Sequence, residues 1–275
     1  MRLLLFSAAA AVAASPALAA PPSVRLDHLA ARVVVISEDR ANVTADVRGG
    51  RTDLPRTVLR VSGSELTVAG GLSDSQLRQC RSSKGRMKLG LFHSYAIADL
   101  PVVTIHAPRD VVIESNGAIS GEIGPSRSVD LRQRRCGEWS IGDVGERLAL
   151  NLSGLGDVRA GSARKADLRV SGMGDVHIRS TSALNAELSG LGDLVVDDAS
   201  GPVEAELSGM GDIRIRGGHV TTLKLTQSGM GDISFHGVAD SLDASSSGMG
   251  GIDVAKVTGE VRQRHSGMSH VRIGG

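Results

Sequence analysis

Ser171-Gly172-Met173-Gly174-Asp175-Val176 is one of seven copies of a single motif in the C-terminal half of this 275-residue chain. The copies begin at Ser153, Ser171, Ser189, Ser208, Ser228, Ser247 and Ser266, at intervals of 18, 18, 19, 20, 19 and 19 residues. Five keep Ser-Gly-(Met or Leu)-Gly-Asp-(Val, Ile or Leu); the sixth ends Gly250-Gly251-Ile252 and the seventh drifts to Ser269-His270-Val271. A near-fixed period repeated this often marks a solenoid.

The residues around the motif choose strand over helix. Leu148-x-Leu150-x-Leu152, Ala166-x-Leu168-x-Val170 and Leu184-x-Ala186-x-Leu188 alternate before it. Val176-x-Ile178 and Ile213-x-Ile215 alternate after it. A period of two means strands with one buried face. The two glycines read as the bend between strands. The expected fold is all-β: a parallel β-helix of about 19 residues per coil, right-handed in preference to left-handed because the longer spacings break a six-residue repeat. Seven coils about 4.8 Å apart would span on the order of 34 Å.

Residues 1–19 carry the marks of a cleaved secretory leader: Arg2, the apolar run from Leu3, and the small-residue site Ala17-Leu18-Ala19. No later stretch has the length and apolarity of a membrane-spanning helix. Cleavage would remove Arg2 and leave 30 basic and 30 acidic residues, a balance that argues against a general nucleic-acid binder. Residues 20–110 read as irregular strands forming early coils and a cap, and 111–275 as the solenoid proper, with one continuous domain from about residue 29. Strands are expected at 32–36, 41–48, 58–62, 66–68, 88–92 and 102–105. A cap is needed because an open solenoid end is an exposed sheet edge.

Cys80 and Cys136 are the only cysteines. In an exported chain such a pair most often forms a disulfide. Closing so long a loop would add roughly 4 kcal/mol on the chain-entropy account. The bridge would also gather Arg78, Arg81, Lys84, Arg86 and Lys88 with Arg127, Arg132, Arg134 and Arg135 into a candidate patch for an anionic glycan, lipid or protein. The competing reading is a solvated loop surface.

Within the motif, Asp157, Asp175, Asp193, Asp212 and Asp232 share one position. Stacked in register they would repel, so they must either bind Ca2+ between coils or accept turn hydrogen bonds, the second being the commoner role. Leu155, Met173, Leu191, Met210, Met230, Met249 and Met268 form another ladder. A soft-metal stripe is conceivable, but interchange with Leu favours an apolar core ladder. The last inward slot turns polar at Gln227, Ser246 and His265, which reads as a C-terminal cap or subunit contact, or as a small pocket with Gln263.

Repeated Ser-Gly-Met-Gly-Asp-Val on such a chain resembles the head GIN domain family, labelled an auto-transporter adhesin domain of unknown function. The resemblance runs from about Leu29 to the C-terminus and is strongest at the five motifs from Ser153 to Ser228. It includes Pro101-Val102-Val103 and the stretch Val111 to Gly117. It implies an adhesive or scaffolding role and supplies no catalytic residues or cofactor. A non-enzymatic binding, adhesion or envelope scaffold in the periplasm or at the cell surface is therefore the leading expectation. A polysaccharide-acting enzyme and a self-associating structural protein come second. The few aromatic residues of the chain weaken the enzyme reading, because sugar subsites use aromatic platforms.

Overall fold

The computed structural model describes residues 21–274; the expected leader lies outside them. Strands make up 66% of the described residues, an all-β fold wound into a parallel solenoid of about nine turns, with about 19 residues in each. The alternating segments before the motif form one sheet. Its inward ladder runs Ile113, Leu131, Leu150, Leu168, Ala186, Ala205, Leu225 and Ala244. Segments after the motif form a second sheet, with Trp139, Val158, Val176, Leu194, Ile213, Ile233 and Ile252 inward. These side chains belong to one continuous buried cluster. A coil has no core of its own; burial comes only from its neighbours, so stacking is what stabilises each unit.

The first coils are laid down out of chain order. β1 (Ser23–Glu38) enters as the second rung. After it come β2 (Thr44–Arg48), β3 (Val58–Ser62) and β4 (Glu65–Ala69). The excursion that follows holds a short helix, α1 (Asp74–Arg78), and a three-stranded antiparallel sheet of β5 (Arg81–Ser83), β6 (Arg86–Leu89) and β7 (His93–Ala96). Only then do β8 (Val102–Pro108) and β9 (Asp110–Ile123) complete the early turns. β1 pairs in parallel with β4 and β8 on one side and with β9 on the other. β2 runs antiparallel to β8 and β3 antiparallel to β4, ending the stack at this end. Five of the six irregular strands expected from sequence thus overlap strands of the fold, 58–62 with the same bounds and 32–36 covering only part of β1. The sixth, 88–92, matches only the end of β6, while α1, β5, β7 and the first half of β1 were not anticipated.

α1 exists because Ser73 and Gln76 make a reciprocal capping box: Gln76 N–H donates to Ser73 Oγ at 3.4 Å and Ser73 N–H to Gln76 Oε1 at 3.0 Å. Leu77 is its one buried residue. It joins Leu72, Met87, Leu89 and Leu100 in a second, smaller core that lies over Ala30, Ala118 and Cys136.

Candidate functional site

Alternation runs unbroken through the motif. Leu188 is buried, Ser189 exposed, Gly190 buried, Leu191 exposed, Gly192 buried and Leu194 buried. The glycines therefore occupy inward slots, and the Met or Leu between them points out. This corrects the expected apolar core ladder. Met173 is 50% exposed, Leu191 48%, Met210 54%, Met230 50%, Met249 58% and Met268 77%. The glycines are explained by close approach between coils more than by a bend. A methyl group built on Gly172, Gly190, Gly209 or Gly229 would fall on the carbonyl oxygen of the motif glycine one coil earlier. Among the motif glycines only Gly156 and Gly267 have positive φ.

The outward ladder continues upstream of the first motif. Ala30 pairs with Ala118, Ala118 with Cys136, Cys136 with Leu155 and Leu155 with Met173. Its first three rungs are buried beneath the excursion between β4 and β8. Cys80 of that excursion is bonded to Cys136, with Cα atoms 5.9 Å apart, so the disulfide anticipated from sequence fastens the cover to the ladder itself. Leu155 is half-buried against the cover's edge. Beyond it the stripe is bare among the described residues and forms the floor of a groove of about 1050 Å³, flanked by the motif serines and glycines. The head of the groove is lined by Leu77, Cys80, Arg78, Arg134 and Arg135.

The nine basic candidates are thereby divided. Arg135 donates to Asp74 at 2.7 Å and to Asn116 at 3.1 Å. Arg78 and Arg134, both exposed, have no carboxylate within ion-pair distance among the described residues. Arg127 is paired with Asp110, and Arg132 with Glu114 at 3.0 Å and Asp130 at 3.3 Å; neither lines the groove. Arg81 sits directly across from Lys88 on the small sheet. Arg86 donates to Ser94, and Lys84 lies at the β5–β6 turn with a φ of 49°.

The aspartate ladder satisfies the backbone. Asp157 Oδ1 accepts the N–H of Asp175 at 3.1 Å, Asp175 that of Asp193 at 3.0 Å, Asp193 that of Asp212 at 2.9 Å and Asp212 that of Asp232 at 2.8 Å. Where Asp gives way to Gly251, that residue's N–H still donates to Asp232 at 2.7 Å. Arg214 reaches both Asp193 and Asp212, offsetting their repulsion. Each carboxylate thus joins one coil to the next.

The polar inward slot is a satisfied network. Gln227 Nε2 donates to the carbonyls of Gly229 at 2.8 Å and Gly231 at 3.1 Å. Its Oε1 accepts from Ser246 Oγ at 2.7 Å and Gly248 N–H at 3.3 Å. Gln263 and His265 lie on the exposed strand Val261–His265, whereas Gln227 and Ser246 are buried. The pocket reading fails there because the slot is already filled by its own hydrogen bonds.

A second concavity, of about 320 Å³, lies on the outer face of the first sheet. Its charges cancel locally: Asp167 holds Arg147 at 2.7 Å and Lys165 at 3.2 Å, and Arg169 holds Glu187 at 3.1 Å. Asp167 sits below the usual carboxylate range; burial pushes it up, and the hydrogen bonds from Arg147 and Lys165 more than reverse this.

No family model matches the chain, and a search of curated proteins finds no match. Among solved structures, the crystal structure of a putative adhesin from Bacteroides fragilis is similar over 93% of both chains, at 13% identity and a TM-score of 0.44.

Proposed function

We propose that this protein is an exported, non-enzymatic binding scaffold of the cell envelope, and that its working surface is the bare Met/Leu stripe. The exposure of Met173 to Met268 carries the reading. Long apolar side chains repeated outward on consecutive rungs form a contiguous patch, and such patches on a soluble surface mark interaction sites. Methionine suits a surface that must fit its ligand by small adjustments. The disulfide is compatible with an oxidising compartment. Membership of the head GIN domain family, and the adhesive role its label implies, belong to the same proposal and rest on the motif.

Cosedimentation with envelope fragments tests it. Wild-type protein is expected to pellet with the fragments, and a Met173→Gln/Leu191→Gln/Met210→Gln/Met230→Gln variant with an unchanged melt to stay in solution. Equal pelleting of both proteins, or of neither, would overturn the reading.

A further inference from the structure

Resting on that reading, we infer that the stripe is a binding site for a long-chain acyl amphiphile with an anionic head, the head lying at Arg78 and Arg134. Three observations converge on this class of ligand.

The first is continuity. The same ladder is already an intramolecular apolar interface over Ala30, Ala118 and Cys136, where Leu77, Met87 and Leu89 cover it. Beyond Leu155 the ladder keeps its register and turns to larger apolar side chains, yet no other described residue covers them. What fits there must be apolar along its length.

The second is charge placement. Arg78 and Arg134 stand at the covered end of the groove without a carboxylate partner among the described residues, while most other groove-distant arginines on the solenoid are paired. A guanidinium left open beside an apolar floor suits a carboxylate or phosphate, which it can hold through two parallel N–H donors. One charged end and a long apolar run describe an amphiphile, with head and tail directions fixed.

The third is size. Seven rungs at about 4.8 Å span on the order of 29 Å, one side chain wide. That offers on the order of 300 Å², well short of the roughly 800 Å² each partner gives to a stable protein interface. A second copy of this chain is therefore a poor occupant of the stripe alone. An acyl chain fits better. One leaflet of a bilayer core is about 15 Å thick, so a single chain with its head at the arginines would lie across Leu155, Met173, Leu191 and Met210. The groove volume falls at the upper end of small-molecule sites.

Isothermal titration of the mature protein with hexadecanoate, below its aggregation concentration, tests the assignment, with methyl hexadecanoate and acetate as comparators. Hexadecanoate is expected to bind and acetate not to. The methyl ester should bind about tenfold more weakly, the loss of a charged hydrogen-bonding head. Arg78→Ala/Arg134→Ala should bring acid and ester to equal affinity. Met173→Gln/Leu191→Gln should weaken both, whereas Met268→Gln, beyond the reach of the chain, should leave both unchanged. All these positions are exposed, and a matching melting temperature confirms that each variant is folded. Failure of hexadecanoate to bind, or binding insensitive to Met173→Gln/Leu191→Gln, would overturn the proposal. Stripe-dependent cosedimentation with envelope fragments in the absence of hexadecanoate binding would sink the acyl ligand and leave the scaffold reading standing.

Discussion

Cys136 and Leu155 are consecutive rungs of one parallel ladder, the first sealed under a disulfide-bound cover and the second at the cover's edge. The bridge to Cys80 therefore decides where the stripe begins to be exposed. Reduction, or Cys80→Ser/Cys136→Ser, is expected to lower stability by up to roughly 4 kcal/mol. Limited proteolysis should then cut within residues 72–100 while the repeat from Ser153 onward stays intact. Loss of the whole chain at once would show that the cover and solenoid unfold as one unit.

The glycine ladders give a sharper test of packing. Gly190 is buried and faces the carbonyl of Gly172 so closely that a methyl group has no room. Gly190→Ala must push two coils apart and is expected to cost about 3 kcal/mol or more, at the top of the overpacking range. Gly49 has nothing within 4 Å of a built methyl, so Gly49→Ala should be close to neutral. Chemical denaturation of the two variants beside wild type measures the difference.

These glycines also show how far the sequence could be read. The period of two, the repeat and the two-cysteine count were enough for the solenoid, its strands and its disulfide. The Met/Leu ladder departs from the sequence expectation for a single reason: alternation continues through the glycines instead of stopping at them. Counting by two from Leu188 to Leu194 would have placed Gly190 and Gly192 inward and Leu191 outward. The covering excursion was not legible, because its contacts with Ala118 and Cys136 join segments far apart in sequence and leave no period. Nor could the division of the basic cluster be read, since it depends on which arginine finds Asp110, Glu114 or Asp74 in space.

Asp193 separates a structural carboxylate from a calcium ligand. It accepts the Asp212 N–H and holds Arg214 at 2.9 Å. Asp193→Ala strands that amide and is expected to destabilise by about 1–3 kcal/mol, while Asp193→Asn keeps an acceptor and should cost less. The melting temperature should be the same in Ca2+ and in EDTA. A rise of several degrees with Ca2+, abolished in Asp193→Asn, would restore the metal reading.

Acid should weaken the fold through carboxylates held in ion pairs and turns. Asp110 is lowered by its hydrogen bond from Arg127, Asp143 by those from Ser162, whose N–H and Oγ each lie 2.8 Å away, and Asp240 by that from His219. A depressed folded value means the contribution is fully present above the unfolded carboxylate value of about 3.9 and lost as pH falls through the folded ones. Melting temperature should hold through mildly acidic buffers and drop below about pH 4. Raising the salt concentration should blunt the Asp110–Arg127 part, because both groups are largely exposed.

Gln227 offers a test of how the solenoid tolerates polarity inside. Leu207 fills the same slot one coil earlier, so Gln227→Leu would follow the pattern of the middle coils. Yet it would leave Ser246 Oγ and Gly248 N–H without their acceptor, and the carbonyls of Gly229 and Gly231 without their donor. Unpaired buried groups cost about 1–3 kcal/mol each, more than the added apolar burial returns. The single variant is therefore expected to destabilise. Adding Ser246→Ala removes one stranded hydroxyl, so the double variant should recover part of the loss, and a double-mutant cycle should show coupling of about 1 kcal/mol or more. Simple additivity would mean that the slot is solvated and that Gln227 does not fasten the last coils.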